Sequence, residues 1–212
     1  MPETAENHLA ELPDFLFLAE HPALDFINTQ IALQGELVDL LSSWPTFLTW
    51  LERAGLSGDA DLDLPKAKAA SALQQVRDFR QAWRDEVNRL SEGHAVSRPF
   101  LAEVNRLLAA APLIESLAAT PDGYTLTSQS TALPADQQVL AILARVAAQF
   151  LAGSHFEHLR KCANPECVLF FYDTTKNHRR QWCSGALCGN RHKVAAFRER
   201  RRQQKPSPGA MV

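Results

Sequence analysis

The chain has 212 residues, of which 46% are hydrophobic and 22% charged, with a formal net charge of −2 at pH 7. That is enough apolar content for one packed domain plus a small module, and too much for a disordered chain. No apolar run reaches membrane-helix length and no secretory leader pattern is present, so the expectations are a cytoplasmic location and no membrane partner.

In chain order, residues 1–153 read as a helical domain. Leu16-Phe17-Leu18 forms a short strand or an extended lead-in. Pro22 to about Gln30 reads as a helix with proline at its first position and Leu24 and Ile27 facing inward. After a turn near Gln34-Gly35, a second helix runs from Pro45 to Ala54, capped by Ser43 and stopped by Gly55. Gly58 to Pro65 is a polar connection. Lys66 to Leu90 is a long helix, with Leu73, Val76, Phe79, Trp83, Val87 and Leu90 at helical intervals and Arg77, Arg80 and Arg84 on its polar face. Ser97 caps a helix from Arg98 to Ala110, and Pro112 breaks the chain before Leu113 to Ala118. Tyr124 to Thr127 reads as a short strand whose partner is not evident. Pro134 to Leu151 is a strongly apolar helix ending near Gly153.

The next segment, residues 154–205, holds all the cysteines, as Cys162-x4-Cys167-x15-Cys183-x4-Cys188. Two matched pairs supply the four thiolates of a tetrahedral zinc ion, and a closed four-thiolate shell leaves no position for water, so one structural Zn2+ is expected. A disulfide framework is disfavoured by the expected reducing compartment. Asn164-Pro165 lets the first loop curl, and Val168 to Tyr172 is β-branched and aromatic and reads as a strand. Asp173 to Asn177 is a turn, and His178 to Trp182 is expected to return antiparallel and deliver Cys183. Asn190 to Gln203 has helix-forming composition. Knuckle, hairpin and helix make a treble-clef type finger, and the whole chain is mainly α with minor β. Trp182, Phe170 and Phe171 are expected to form the finger's miniature core. Residues 206–212 have the composition of a disordered tail.

The near-neutral total conceals a charge asymmetry. Phe156 to Lys205 carries twelve Lys and Arg against four Asp and Glu, whereas the remaining residues carry ten against twenty. Arg179 and Arg180 lie on the hairpin, and Arg191, Lys193, Arg198, Arg200, Arg201 and Arg202 follow the last cysteine. A zinc-anchored helix with a basic face is a means of presenting guanidinium groups to phosphates and guanine edges, which makes DNA the expected partner. The plainer alternatives are a solvated basic tail or a helix docked on the acidic part of the same chain.

Arg179-Arg180-Gln181-Trp182-Cys183 followed by Cys188-Gly189-Asn190-Arg191 resembles the CGNR zinc-finger family. Upstream, Phe17-Leu-Ala-Glu-His21-Pro-Ala-Leu-Asp25-Phe-Ile-Asn28-Thr29 is similar to the opening motif of the ABATE domain that usually precedes this finger. The resemblance implies a bacterial stress-induced transcription regulator with zinc and DNA binding in the finger. From the residues themselves, Gly189 frees the backbone at the helix start or admits a close amide, and Asn190 caps the helix or hydrogen-bonds a neighbouring loop, with capping favoured over base reading. Arg191 contacts phosphate or stacks on Trp182.

His21, Asp25 and Asn28 fall at i, i+4 and i+7 and form a polar stripe on the first helix. They are candidates for a ligand pocket or, in an enzyme reading, for catalysis. The structural alternative pairs Asp25 with Arg77 or Arg80 and uses Asn28 to tie down a loop. No phosphate loop or nucleophile triad is present, so a non-enzyme is expected. The leading function is a transcription regulator whose helical domain senses a small-molecule effector or assembles a homodimer; a protein-interaction adaptor is the alternative.

Overall fold

The computed structural model describes residues 15–58, 62–130 and 133–203. Helix α1, Pro22–Ile27, starts where His21 adopts an extended backbone and its Nδ1 accepts the Ala23 N–H at 3.1 Å. It stops at Ile27 rather than near Gln30, because Asn28 leaves the helix and the chain enters strand β1, Gln30–Leu33. Strand β2, Glu36–Asp39, pairs with β1 through a two-residue turn in which Gln34 and Gly35 take φ of 53° and 87°, the left-handed pair that a tight hairpin requires. The sequence marked this turn but not the strands beside it.

Helix α2, Trp44–Arg53, is capped by Ser43, whose hydroxyl accepts the Thr46 N–H at 3.2 Å. The long helix α3, Lys66–Ser91, runs past α1, α2 and the C-terminal elements and buries Leu73, Val76, Phe79, Trp83, Val87 and Leu90 along one stripe. Ser97 caps α4, Arg98–Ala110, and α5, Ala135–Gly153, follows Pro134. Between α4 and α5, strands β3 (Leu113–Thr120) and β4 (Gly123–Ser130) pair antiparallel, so the partner of Tyr124–Thr127 is the segment just after Pro112.

C-terminal to α5, a 3₁₀ turn at Phe156–His158 leads into β5, Leu159–Lys161, which pairs with β6, Phe170–Tyr172. This corrects the expected hairpin: His178 to Trp182 contains no strand, and β6 is paired instead with the segment before Cys162. The final helix α6, Asn190–Gln203, follows a π-helical turn at Gly185–Gly189. The result is a mainly α protein with small antiparallel hairpins.

The core is continuous from the first helix to the cysteines. Trp50, Trp83, Phe26, Phe47 and Phe150 are buried together with Phe170, Phe171, Cys162 and Cys183. Phe170 and Phe171 therefore do not form a private core for the finger; they complete that of the helical body, while Trp182 is only half-buried. Each such aromatic contributes roughly 2–3 kcal/mol by leaving water, so the interface is stabilised by apolar burial as well as by polar bonds. The tail at 206–212 and part of the Gly58–Pro65 connection lie outside the described residues.

Candidate metal centre and basic helix

The finger is assembled against the N-terminal motif. Asn28 Nδ2 donates to Phe170 O at 2.7 Å and Asn28 Oδ1 accepts the Phe170 N–H at 3.0 Å, so one side chain pairs with β6 as a neighbouring strand would. Tyr172 N–H donates to Ala19 O at 3.0 Å, and Arg84 Nη1 donates to Val168 O at 2.9 Å. Asp25 Oδ1 accepts the N–H groups of Leu18 and Ala19, both at 3.0 Å, fixing the strip of chain that meets the finger. Asp25 therefore does not pair with Arg77 or Arg80. Both of those bind Asp39 instead. His21, Asp25 and Asn28 have main-chain partners, and the two buried ones, Asp25 and Asn28, brace the finger. Burial outweighs the two N–H donors and raises the Asp25 carboxyl to about 6. For Asp39, burial acts upward too, but Arg80, the Leu41 N–H and Arg77 hold it below the usual carboxylate range.

Within the finger, Cys162 N–H donates to Leu169 O at 2.9 Å and Cys167 N–H to Asn164 O at 2.9 Å, which closes the first loop into a knuckle. Ala163 N–H donates to Gln181 O at 2.9 Å and draws in the second limb. Asp173, inaccessible to solvent, accepts the Thr175 N–H at 3.0 Å and hydroxyl at 2.6 Å and the Arg180 N–H at 2.9 Å, which shapes the connection that replaces the expected strand. Ser184 accepts the Leu187 N–H at 3.3 Å and starts the turn that carries Cys188.

These elements gather Cys162, Cys167, Cys183 and Cys188 so that all four sulfurs lie within 4.8 Å of one another. Zinc–sulfur bonds of about 2.3 Å in a tetrahedron place sulfurs about 3.8 Å apart. Cys167 Sγ lies 3.8 Å from Cys183 Sγ, which lies 3.6 Å from Cys188 Sγ. N–H donors point at the thiolates, Cys183 N to Cys162 Sγ at 3.4 Å and Asn164 Nδ2 to Cys188 Sγ at 3.5 Å. Hydrogen bonds from Cys167 and Cys183 pull the Cys162 thiol down to about 2, whereas its hydrogen bond to Cys162 pushes Cys167 up to about 12. Sulfurs this close cannot all shed protons unaided, and a divalent cation removes that conflict. The donor set fits one structural Zn2+, held by the four cysteines as a cross-link between knuckle and helix start.

The CGNR tetrapeptide differs in detail from expectation. Gly189 shows no left-handed backbone; its place lies under Trp182, where a β-carbon would come within 3.4 Å of Cδ1. Asn190 is helical, with φ −69° and ψ −40°, and exposed, so capping falls to Ser184. Trp182 packs against His192, with centroids 4.7 Å apart, rather than against Arg191.

The basic residues separate into two groups. Arg180 is a brace: its guanidinium lies 4.3 Å from the Phe171 centroid and donates to Trp182 O, Leu18 O and Cys183 O, with Glu20 alongside. Its guanidinium donors are engaged within the fold, a bracing role that sets it apart from the exposed basic residues. Arg179, Arg191, Lys193, Arg198, Arg200, Arg201 and Arg202 are exposed. In sequence, Arg84 falls on a polar helix face, Asn164 in the first loop and Asp173 at a turn, but none of them shows there the bonds the fold makes, because their partners are set by the tertiary arrangement or by main-chain groups.

No curated protein matches the chain. The family model for the CGNR zinc finger matches residues 158–201. The ABATE model, described as "Putative stress-induced transcription regulator", matches residues 20–154, more than half the chain. With its finger-bracing N-terminal motif and its four-cysteine centre in that order, the chain belongs to the ABATE family and carries a C-terminal CGNR zinc finger.

Proposed function

We propose that this protein is a DNA-binding transcription regulator of the cytoplasm, in which a zinc-held finger (154–205) presents α6 to duplex DNA and a helical domain (1–153) senses a small molecule or joins two copies. The arginine face of α6 carries this reading. Arg191, Arg198 and Arg202 recur at intervals of seven and four residues, with Arg201 beside them, and so share one face of the helix. His192, against Trp182, and the half-buried Ala196 lie four apart on the side toward the finger. Guanidinium groups aimed outward from a helix fixed at its N-terminal end suit phosphate contacts first and base edges second. No catalysis is assigned, since Asp25 and Asn28 are committed to main-chain bonds.

The test uses the full zinc-loaded chain and fluorescence anisotropy of a labelled duplex over a salt series. Binding is expected, with log affinity falling by about 0.9 per phosphate neutralised as log salt rises. Replacing Arg198, Arg201 and Arg202 together by Ala is expected to weaken binding and flatten that slope by about two to three units. Absence of binding to any duplex at low salt would sink the reading. A second reading, an adaptor for an acidic protein, is favoured by Val194 and Phe197, exposed at 47% and 53% on the same helix. It predicts capture of a specific acidic protein and no salt-dependent duplex binding.

A further inference from the structure

A cleft of about 390 Å3 lies where the β1–β2 hairpin, α3 and the knuckle meet, and Leu37, Arg84, Arg89, Lys161, Val168 and Phe170 help line it. That volume is at the lower end of the range for small-molecule sites. Its wall comes from both parts of the molecule. Lys161 precedes the first zinc ligand, Val168 follows the second, and the remaining residues belong to the helical body.

The charge in the cleft is unbalanced. Among the described residues, Arg84, Arg89 and Lys161 face one acidic lining residue, Asp85, which already accepts from Gln81 Nε2 at 2.8 Å. Arg89 is loosely paired with Glu86 at 3.6 Å, and the Lys161 ammonium lies 5.8 Å from the centroid of the Phe170 ring. Arg84 is the distinctive member. Its guanidinium is largely withdrawn from water and donates to the main-chain carbonyls of Ile27, Gln30 and Val168, with no ion pair among the described residues. Its Nε is buried with no hydrogen-bond partner. Asp85 acts on it only at a distance, short of an ion pair, and a desolvated cation so weakly compensated is costly; an anion in contact offsets that cost. Leu37, Val168 and Phe170 add an apolar wall on which a bare inorganic ion has nothing to place.

We propose that this cleft binds a small organic anion, its carboxylate toward Arg84, Arg89 and Lys161 and its apolar body against Leu37 and Val168. Such a ligand bridges the helical body and the knuckle, so occupancy strengthens the docking of the finger. The inference gives the sensing part of the proposed function a place and a ligand class, and rests on that reading. Ligand binding is measured without nucleic acid, so its failure and a failure of DNA binding are distinguishable.

The experiment titrates benzoate into the full zinc-loaded chain by calorimetry, with benzamide as the uncharged control and inorganic phosphate as the anion without an apolar body. Benzoate is expected to bind saturably below millimolar concentration, and both controls at least about ten-fold more weakly. Because Arg84→Gln removes three main-chain bonds and can unfold the protein, the charge test uses the rim variant Lys161→Gln with Arg89→Gln. That variant is expected to keep its zinc and melting temperature and to lose benzoate affinity about ten-fold. Amide shifts on titration should centre on Leu37, Arg84 and Val168. No saturable benzoate binding, a control binding as tightly as benzoate, unchanged affinity in the rim variant, or shifts elsewhere would each overturn the proposal.

Discussion

The two limbs of the finger use the same residue type for opposite purposes. In the limb before Cys183, Arg180 turns inward, packs on Phe171 and donates to three carbonyls, one of them in the N-terminal segment. In the limb after Cys188, the side chains of Arg191, Arg198, Arg200 and Arg202 make no hydrogen bond or ion pair among the described residues. One limb is therefore part of the helical body, and the other joins the finger at the cysteine centre and through the packing of His192 on Trp182. A finger divided in this way is a fixed platform carrying an outward helix, and its stability and its binding should respond to different substitutions.

The strongest way to break the comparison is to remove the metal. Cys183→Ser should abolish stoichiometric zinc, and because structural zinc in such modules contributes about 10 kcal/mol or more of apparent folding free energy, the knuckle should not survive. Since Phe170, Phe171 and Cys162 lie in the common core, the loss should reach the body. Trp50 and Trp83, both fully buried there, report it through a red-shifted emission on chelation or in the variant. Emission unchanged after zinc removal would mean that the body folds without the finger. A smaller cut, Asn28→Ala, strands the Phe170 N–H and C=O at a buried interface and should cost about 3 kcal/mol in urea denaturation while zinc content holds. A cost near zero would show the Asn28 bonds to be incidental.

The parts of this arrangement that could be read from sequence are those fixed by neighbours in the chain. Ser43 and Ser97 cap the helices they precede, α4 and α6 have the bounds their composition implies, and the cysteine spacing specifies the centre. The parts that escaped depend on distant pairing. Strand β3 is exposed along its whole length, so no buried face imposes the alternation that marks a strand. Strand β5 is only Leu159-Arg160-Lys161, too short for a pattern, and its pairing displaced the strand expected at His178 to Trp182. Arg180 is indistinguishable in sequence from exposed Arg179; only Phe171 and Leu18, brought near by the fold, set it apart. The i, i+4, i+7 stripe was visible, but what it faces was not: the finger supplies the partner of Asn28.

Asp25 offers a pH test of the same interface. Its carboxyl is raised to about 6 by burial, against an ordinary value near 4 in the unfolded chain. Below the lower value both states are protonated and the group costs nothing. Between the two the unfolded chain releases its proton first, so stability falls as pH rises; above about 6 the cost is complete, at most roughly 3 kcal/mol. Asp25→Asn keeps an oxygen for the Leu18 and Ala19 N–H groups and cannot ionise, so the difference between wild type and variant should grow in the variant's favour over that window. Excess zinc in both samples keeps thiolate protonation from entering the difference. A difference independent of pH would show that Asp25 stays ionised and is held by its two N–H donors.

The smallest expected effect on stability completes the comparison. Arg198, Arg201 and Arg202 lie on exposed turns of α6, where among the described residues the Arg201 guanidinium lies 5.8 Å from the Phe197 centroid. Replacing all three by Ala should shift the unfolding free energy by only about 0.5 kcal/mol, because exposed residues without partners contribute little and Ala favours helix. The same substitution removes three of the outward charges and should produce the flattened salt dependence described above. If zinc content or the urea midpoint instead fell as far as in Asn28→Ala, α6 would be bearing on the body, and the separation between platform and presented helix would fail.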